Sequence, residues 1–79
     1  MIRECQYLAV RVDMPSGVIT PLGVAESEDR AFIECMHHSD RYAKFHPKVK
    51  ALINMRMFRF YETKYLYVCF KVIPVTKLK

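Results

Sequence analysis

The sequence predicts a small single α+β domain spanning residues 1–79: an antiparallel-rich, four-stranded sheet in the order ββα(α)ββ, with one main helix on one face. Three observations predict it. Two short alternating runs flank the turn Met14-Pro15-Ser16-Gly17, a helical period follows, and the stretch Met55 to Val75 alternates again. That last stretch holds six of the ten Tyr and Phe residues and reads as a β-hairpin.

Successive side chains on a strand point to opposite faces. In the hairpin, Leu66, Val68, Phe70 and Val72 form one apolar row, and Tyr65, Tyr67, Cys69 and Lys71 form the other. On the preceding strand Phe58 and Phe60 fall on one side, and Met57, Arg59 and Tyr61 on the other. A one-residue slip would turn a whole row to the wrong face. A two-residue turn at Thr63-Lys64 would oppose Tyr61 to Leu66 and mix the rows. A three-residue loop, Glu62-Thr63-Lys64, opposes Tyr61 to Tyr65, Arg59 to Tyr67, Phe60 to Leu66 and Phe58 to Val68. The expectation is therefore an odd-length loop joining a two-sided ribbon, one side dry and suited to a helix, the other rich in Tyr, Met and Arg.

The remaining elements follow in order. Cys5 to Asp13 reads as a strand with Leu8, Val10 and Val12 toward the core and Tyr7, Ala9 and Arg11 opposite. Pro and Gly in Met14 to Gly17 mark a turn. Val18 to Val24 reads as a second strand, with Val18, Leu22 and Val24 inward and a bulge at Gly23. Pro21 cannot donate a ladder hydrogen bond, which places this strand at an edge. Ala25 to Phe45 reads as helical. Ser27 suits the N-cap, and Glu28 and Asp29 complement the helix dipole. The expected buried stripe is Ala31, Phe32, Cys35, Met36, Ser39, Tyr42 and Ala43. Arg30, Glu34, His37, Arg41 and Lys44 occupy the opposite face. Pro47 ends the helix near His46. Lys48 to Ile53 reads as a short second helix with Val49, Leu52 and Ile53 inward. The last strand, the most continuously apolar, is expected at the sheet centre, and Thr76 to Lys79 as a frayed tail.

A net charge of +5 conceals a polarity. Residues 1–40 carry three Arg against seven Asp or Glu, a balance of −4; residues 41–79 carry ten Lys or Arg against Glu62 alone, a balance of +9. Part of this polarity is ordinary helix design, and part is a basic C-terminal half of the kind that meets anionic partners. Cys5, Cys35 and Cys69 are odd in number and widely spaced, which points to free, mostly buried thiols in a cytoplasmic protein rather than to a disulfide framework. The charged start Met1-Ile2-Arg3-Glu4 does not resemble a signal peptide, and no apolar run reaches membrane-spanning length.

Catalytic and metal chemistry finds little support. Cys35 and His37 are two apart on a helix and diverge, so no zinc ligand set forms with His38 or His46. Cys35 or Cys69 with His46 would be needed for a thiol enzyme, a remote third reading that lacks an orienting group. The two glycines, Gly17 and Gly23, make no phosphate-cradling loop. No catalytic residue, metal or cofactor is therefore assigned.

The leading expectation is a non-enzymatic binding module, a protein-binding adaptor or inhibitor, with a phage- or virus-encoded inhibitor as one form of it. Its contact face would comprise Arg59, Tyr61, Tyr65, Tyr67 and Lys71, joined by Tyr7 and Arg11, because Tyr, Met and Arg are enriched in interface cores. The same face would also serve a homodimer. The alternative is nucleic-acid binding, with Lys44, Lys48, Lys50 and Arg56 supplying phosphate contacts beside the tyrosines.

Overall fold

The computed structural model describes the backbone of residues 3–54 and 56–78 and the side chains of 6–54 and 56–75. Met55, where the predicted hairpin begins, and the Cys5 thiol lie outside the described residues. The order is β1 (Arg3–Met14), β2 (Val18–Ala25), α1 (Glu28–Phe45), β3 (Lys50–Asn54), β4 (Met57–Tyr61) and β5 (Tyr67–Leu78). The five strands form one antiparallel sheet in the spatial order β2-β1-β5-β4-β3.

The small α+β domain with one helix on one face is thus found, with five strands instead of four. The additional strand is β3, in the segment expected to be a short helix. Five exposed residues, Lys50-Ala51-Leu52-Ile53-Asn54, span less than two helical turns, too few for periodicity to discriminate. Pairing with β4 settles the matter: Ala51 opposes Phe60 and Leu52 opposes Arg59. As expected, β5 lies at the centre and β2 at an edge. Thr76 to Leu78 belong to β5, so the tail pairs with β1 up to Leu78 instead of fraying.

Ser27 caps α1, its hydroxyl accepting the Arg30 N–H at 3.2 Å, with Glu28 and Asp29 in the first turn. At the other end the His46 N–H donates to the Tyr42 carbonyl at 2.9 Å, and Pro47 follows. The buried helix residues are Ala31, Cys35 and Ser39, with Phe32 and Tyr42 partly buried beside them; Met36 and Ala43, expected in this stripe, are exposed. Small residues dominate the contact. Ala9, Ala31 and Cys35 have no exposed surface, so helix and sheet backbones approach closely at that point.

Around this small-residue centre stands an aromatic cluster. Phe32 stacks on Phe58 at 5.3 Å, while Tyr42 meets Phe60 at 5.1 Å and Phe70 at 5.8 Å. Phe58, Phe60, Val68 and Phe70 are buried, and Val72 packs against them. The dry row of the hairpin therefore lies under α1, except that Leu66 sits in the loop, half exposed.

The hairpin loop is odd-length, as its parity requires, but has five residues instead of three. Tyr61 opposes Tyr67, Phe60 opposes Val68, Arg59 opposes Cys69 and Phe58 opposes Phe70. A shift of two residues preserves which face each side chain takes. The loop Glu62 to Leu66 is self-closed: the N–H groups of Glu62 and Thr63 donate to the Leu66 carbonyl, and the Thr63 hydroxyl accepts the N–H groups of Tyr65 and Leu66.

On β1 the expected faces are reversed. Ala9 opposes Val72, Arg11 opposes Phe70 and Asp13 opposes Val68, so Ala9, Arg11 and Asp13 take the helix side of this strand. Leu8, Val10 and Val12 line the other side. Directly opposed residues share a face, and the row Val68-Phe70-Val72 fixes theirs. On β2, Ala9 opposes Gly23 while Val10 opposes Pro21, leaving Leu22 as the extra residue of a bulge that packs toward the core. Val18 and Val24, expected inward, are 56% and 64% exposed. Pro74 is accommodated within β5 because the pairing with β4 stops at Phe70, leaving one side of β5 without a ladder partner there.

Candidate functional site: the sheet face opposite the helix

Helix α1 packs against β1, β2, β4 and β5 on one side of the sheet. Among the described residues, no element covers the other side. The register defines its rows. One runs across all five strands as Ile19, Val12, Cys69, Arg59 and Leu52; a second contains Met14, Tyr67, Tyr61 and Lys50. A third pairs Pro21, Val10 and Lys71, and a fourth Val24, Leu8 and Ile73. This face is mostly aliphatic. Val10 is fully buried and Cys69 nearly so, while Ile19, Val24, Leu52 and Val75 are 41–64% exposed. These exposed aliphatic residues lie on β2, on β3 and near the end of β5, at the margins of a centre closed by Val10 and Cys69.

Of the residues expected to form a contact face, Arg59, Tyr61, Tyr67 and Lys71 share it. The rings of Tyr61 and Tyr67 lie 4.7 Å apart and tilted by 32°. Arg59 is half-buried and its Nη2 donates to the Met57 sulfur at 3.1 Å. Tyr65 is in the hairpin loop, 72% exposed, with the Lys64 ammonium 5.6 Å from its ring centre. Tyr7 and Arg11 are on the opposite, helix-bearing face by register, a correction that follows from the reversed parity of β1. Sequence reasoning missed Leu8, Val12 and Leu52 because they were assigned to the core, and gave Ile19 and Ile73 no place on either face.

The basic residues separate. Lys50 projects from β3 in the Tyr61 row, on the open face. Lys44 is on the last turn of α1 and Lys48 in the following loop, both exposed. Arg56 is committed elsewhere: Nη1 lies 2.8 Å from Asp29 and 3.2 Å from Glu28, and its guanidinium stands over Phe32. A phosphate-binding role for Arg56 would have to displace two carboxylates.

Arg11 is likewise paired. Its Nε and Nη2 both reach Asp13 Oδ1, at 3.1 and 2.9 Å, and its guanidinium is 5.4 Å from the centre of the Tyr42 ring. These residues, with His46, Glu62 and Tyr67, line an open cleft of about 500 Å³ at one end of the domain. Tyr42 stacks on His46 at 4.2 Å, and burial raises the Tyr42 hydroxyl pKa against the lowering effect of Arg11.

Burial disfavours the thiolate form of both described thiols. Burial pushes Cys35 up to about 11, and its thiol donates to the Lys71 carbonyl at 3.3 Å. Burial also raises Cys69, against the lowering effects of Arg59 and Lys71. Cys35 lies three turns from His46, about 16 Å along the helix axis, and Cys69 is on the far side of the sheet from it. Both thiols are free. Among the described residues, no three His, Cys, Asp or Glu side chains converge as a metal site, and no helix is long and apolar enough to cross a membrane.

Comparisons with protein-family models, with curated proteins and with solved structures find no match for this chain.

Proposed function

We propose that this chain is a non-enzymatic binding module, an adaptor or inhibitor that engages a protein through the sheet face opposite α1. One observation carries the reading: among the described residues the five-stranded sheet is covered on one side only, and the open side carries exposed aliphatic residues at its margins together with Tyr61, Tyr67 and Arg59. Burying such surface stabilises a complex by roughly 25 cal/mol per Å² before the costs of association are subtracted. The burial of Cys35 and Cys69 and the pairing of Arg11 with Asp13 in the cleft support a binding role over a catalytic one. The inhibitor form of the reading extends to a phage- or virus-encoded protein acting in the cytoplasm.

Nucleic-acid binding is the second reading, favoured by one specific arrangement: Lys50, Arg59 and Lys71 beside the Tyr61–Tyr67 pair. Capture of a partner by the wild type and by the Arg59→Glu/Tyr67→Ala double variant, each with and without nuclease, tests both. The expected result is a protein retained by the wild type in both conditions and lost by the folded variant. Unchanged capture and unchanged oligomeric state in a folded variant would refute the assigned face. Capture abolished by nuclease would favour the second reading.

A further inference from the structure

The charges of the open face specify its partner more closely. Lys50, Arg59 and Lys71 stand on successive strands, β3, β4 and β5, each one row further along. At strand and residue spacings of about 4.8 and 3.4 Å, they form a diagonal with steps of about 8 Å. Among the described side chains, no Asp or Glu occupies this face. The contrast with the other anchored arginines is chemical. Arg11 holds Asp13, and Arg56 holds Asp29 and Glu28, whereas half-buried Arg59 meets two sulfur atoms, the Met57 thioether and the Cys69 thiol, both weak acceptors. A partly desolvated guanidinium is best satisfied by a carboxylate.

We infer that the open face takes an acidic amphipathic segment of a protein partner, its carboxylates meeting Lys50, Arg59 and Lys71 and its apolar side chains resting on Leu8, Val12, Ile73 and Leu52. This rests on the reading of that face as the binding surface. A helix offers carboxylates about 6 Å apart at i,i+4 and about 10.5 Å apart at i,i+7, which bracket the cation spacing. Five strands give the face a width of about 19 Å, room for a helix of about 10–12 Å diameter. A second copy fits less well, since it would set the Lys50, Arg59 and Lys71 diagonal of one copy against the same cations of the other. Single-stranded nucleic acid would find cations but few stacking platforms: the two tyrosines of the face lean against each other, tilted by 32°, and its other described apolar side chains carry no ring of aromatic character.

The test titrates the whole protein, followed by amide NMR shifts, with three probes: a Glu/Leu amphipathic helical peptide, the same peptide with Gln for Glu, and oligodeoxythymidine. Sedimentation reports self-association. The acidic peptide is expected to shift residues of the open face, to bind at least about tenfold more tightly than its Gln counterpart, and to lose that advantage against the Lys50→Gln/Arg59→Gln/Lys71→Gln variant. Its affinity should also fall with salt. Equal binding of both peptides at the open face overturns the acidic partner while leaving the face itself in place. Tighter binding of the oligonucleotide, or a dimer closed through this face, also overturns it. Absence of any shift on the face at millimolar peptide, with partner capture unaffected by Arg59→Glu/Tyr67→Ala, removes both this inference and the reading on which it rests.

Discussion

Arg56 Nη1 lies 2.8 Å from Asp29 Oδ1, tying the β3–β4 turn to the first turn of α1 across 27 residues of chain. The contact is exposed, but Glu28 joins it at 3.2 Å and the guanidinium also covers the Phe32 ring, 5.1 Å from its centre. Arg56 makes this contact from a backbone φ of 60°, a region that costs a side-chain-bearing residue energy and costs glycine little. Both carboxylates also sit where the helix dipole favours negative charge, so one arginine and one helix terminus use the same pair.

Two substitutions separate the contact from the strain. Arg56→Ala removes the ion pairs and keeps a Cβ at φ 60°, whereas Arg56→Gly removes the ion pairs and relieves the backbone. Thermal unfolding should show a larger drop in Tm for Arg56→Ala than for Arg56→Gly. Equal drops would mean that the backbone conformation carries no cost.

Phe70 should be the costliest single truncation. It is 2% exposed and meets both Tyr42 and Phe60 edge-on. Phe70→Ala should cost about 3–5 kcal/mol, a large share of the roughly 4–12 kcal/mol typical for this chain length. Phe45, 73% exposed, is the control; Phe45→Ala should stay within about 0.5 kcal/mol. Urea denaturation of the two variants tests the ranking.

The Ser27 cap is worth about 1 kcal/mol, since its hydroxyl satisfies the Arg30 N–H at the start of α1. Ser27→Ala should lose that amount and Ser27→Asp should recover most of it, read by denaturation at neutral pH. Loss of the same stability in Ser27→Asp would show that the cap works through something other than its side-chain oxygen.

Cys35 gives the fold an alkaline dependence. Its pKa is raised from 9.0 to about 11, chiefly by burial. The folded value exceeds the unfolded one, so the associated stability is complete below about pH 9 and fades between pH 9 and 11. In that window the unfolded chain ionises its thiol while the folded chain does not. The full amplitude is roughly 2–3 kcal/mol. Subtracting the Cys35→Ala stability curve from the wild-type curve isolates this thiol from Lys and Tyr titration. The difference should shrink from pH 9 to 10.5, and a flat difference would refute the assignment.

The candidate face illustrates what hydrophobicity leaves undetermined. Tyr61, Tyr67, Arg59 and Lys71 were legible because the hairpin alternates strictly, and any parity-preserving register keeps them together. Tyr7 and Arg11 were misplaced because β1 carries apolar residues on both parities. The more apolar set, Leu8, Val10 and Val12, is the one α1 leaves uncovered. Size decided the matter, since Ala9 lets Ala31 and Cys35 of α1 come close. The large side chains of the other parity would hold the helix away.

Alternation, caps and turn residues are local properties, and they alone determined the helix limits, the edge position of β2, the central position of β5 and the two-sided hairpin. Register and layer are not local. The five-residue loop, the strand at Lys50–Asn54 and the side of β1 that meets α1 were decided by tertiary structure, because each depends on which distant side chains fit together when the core closes.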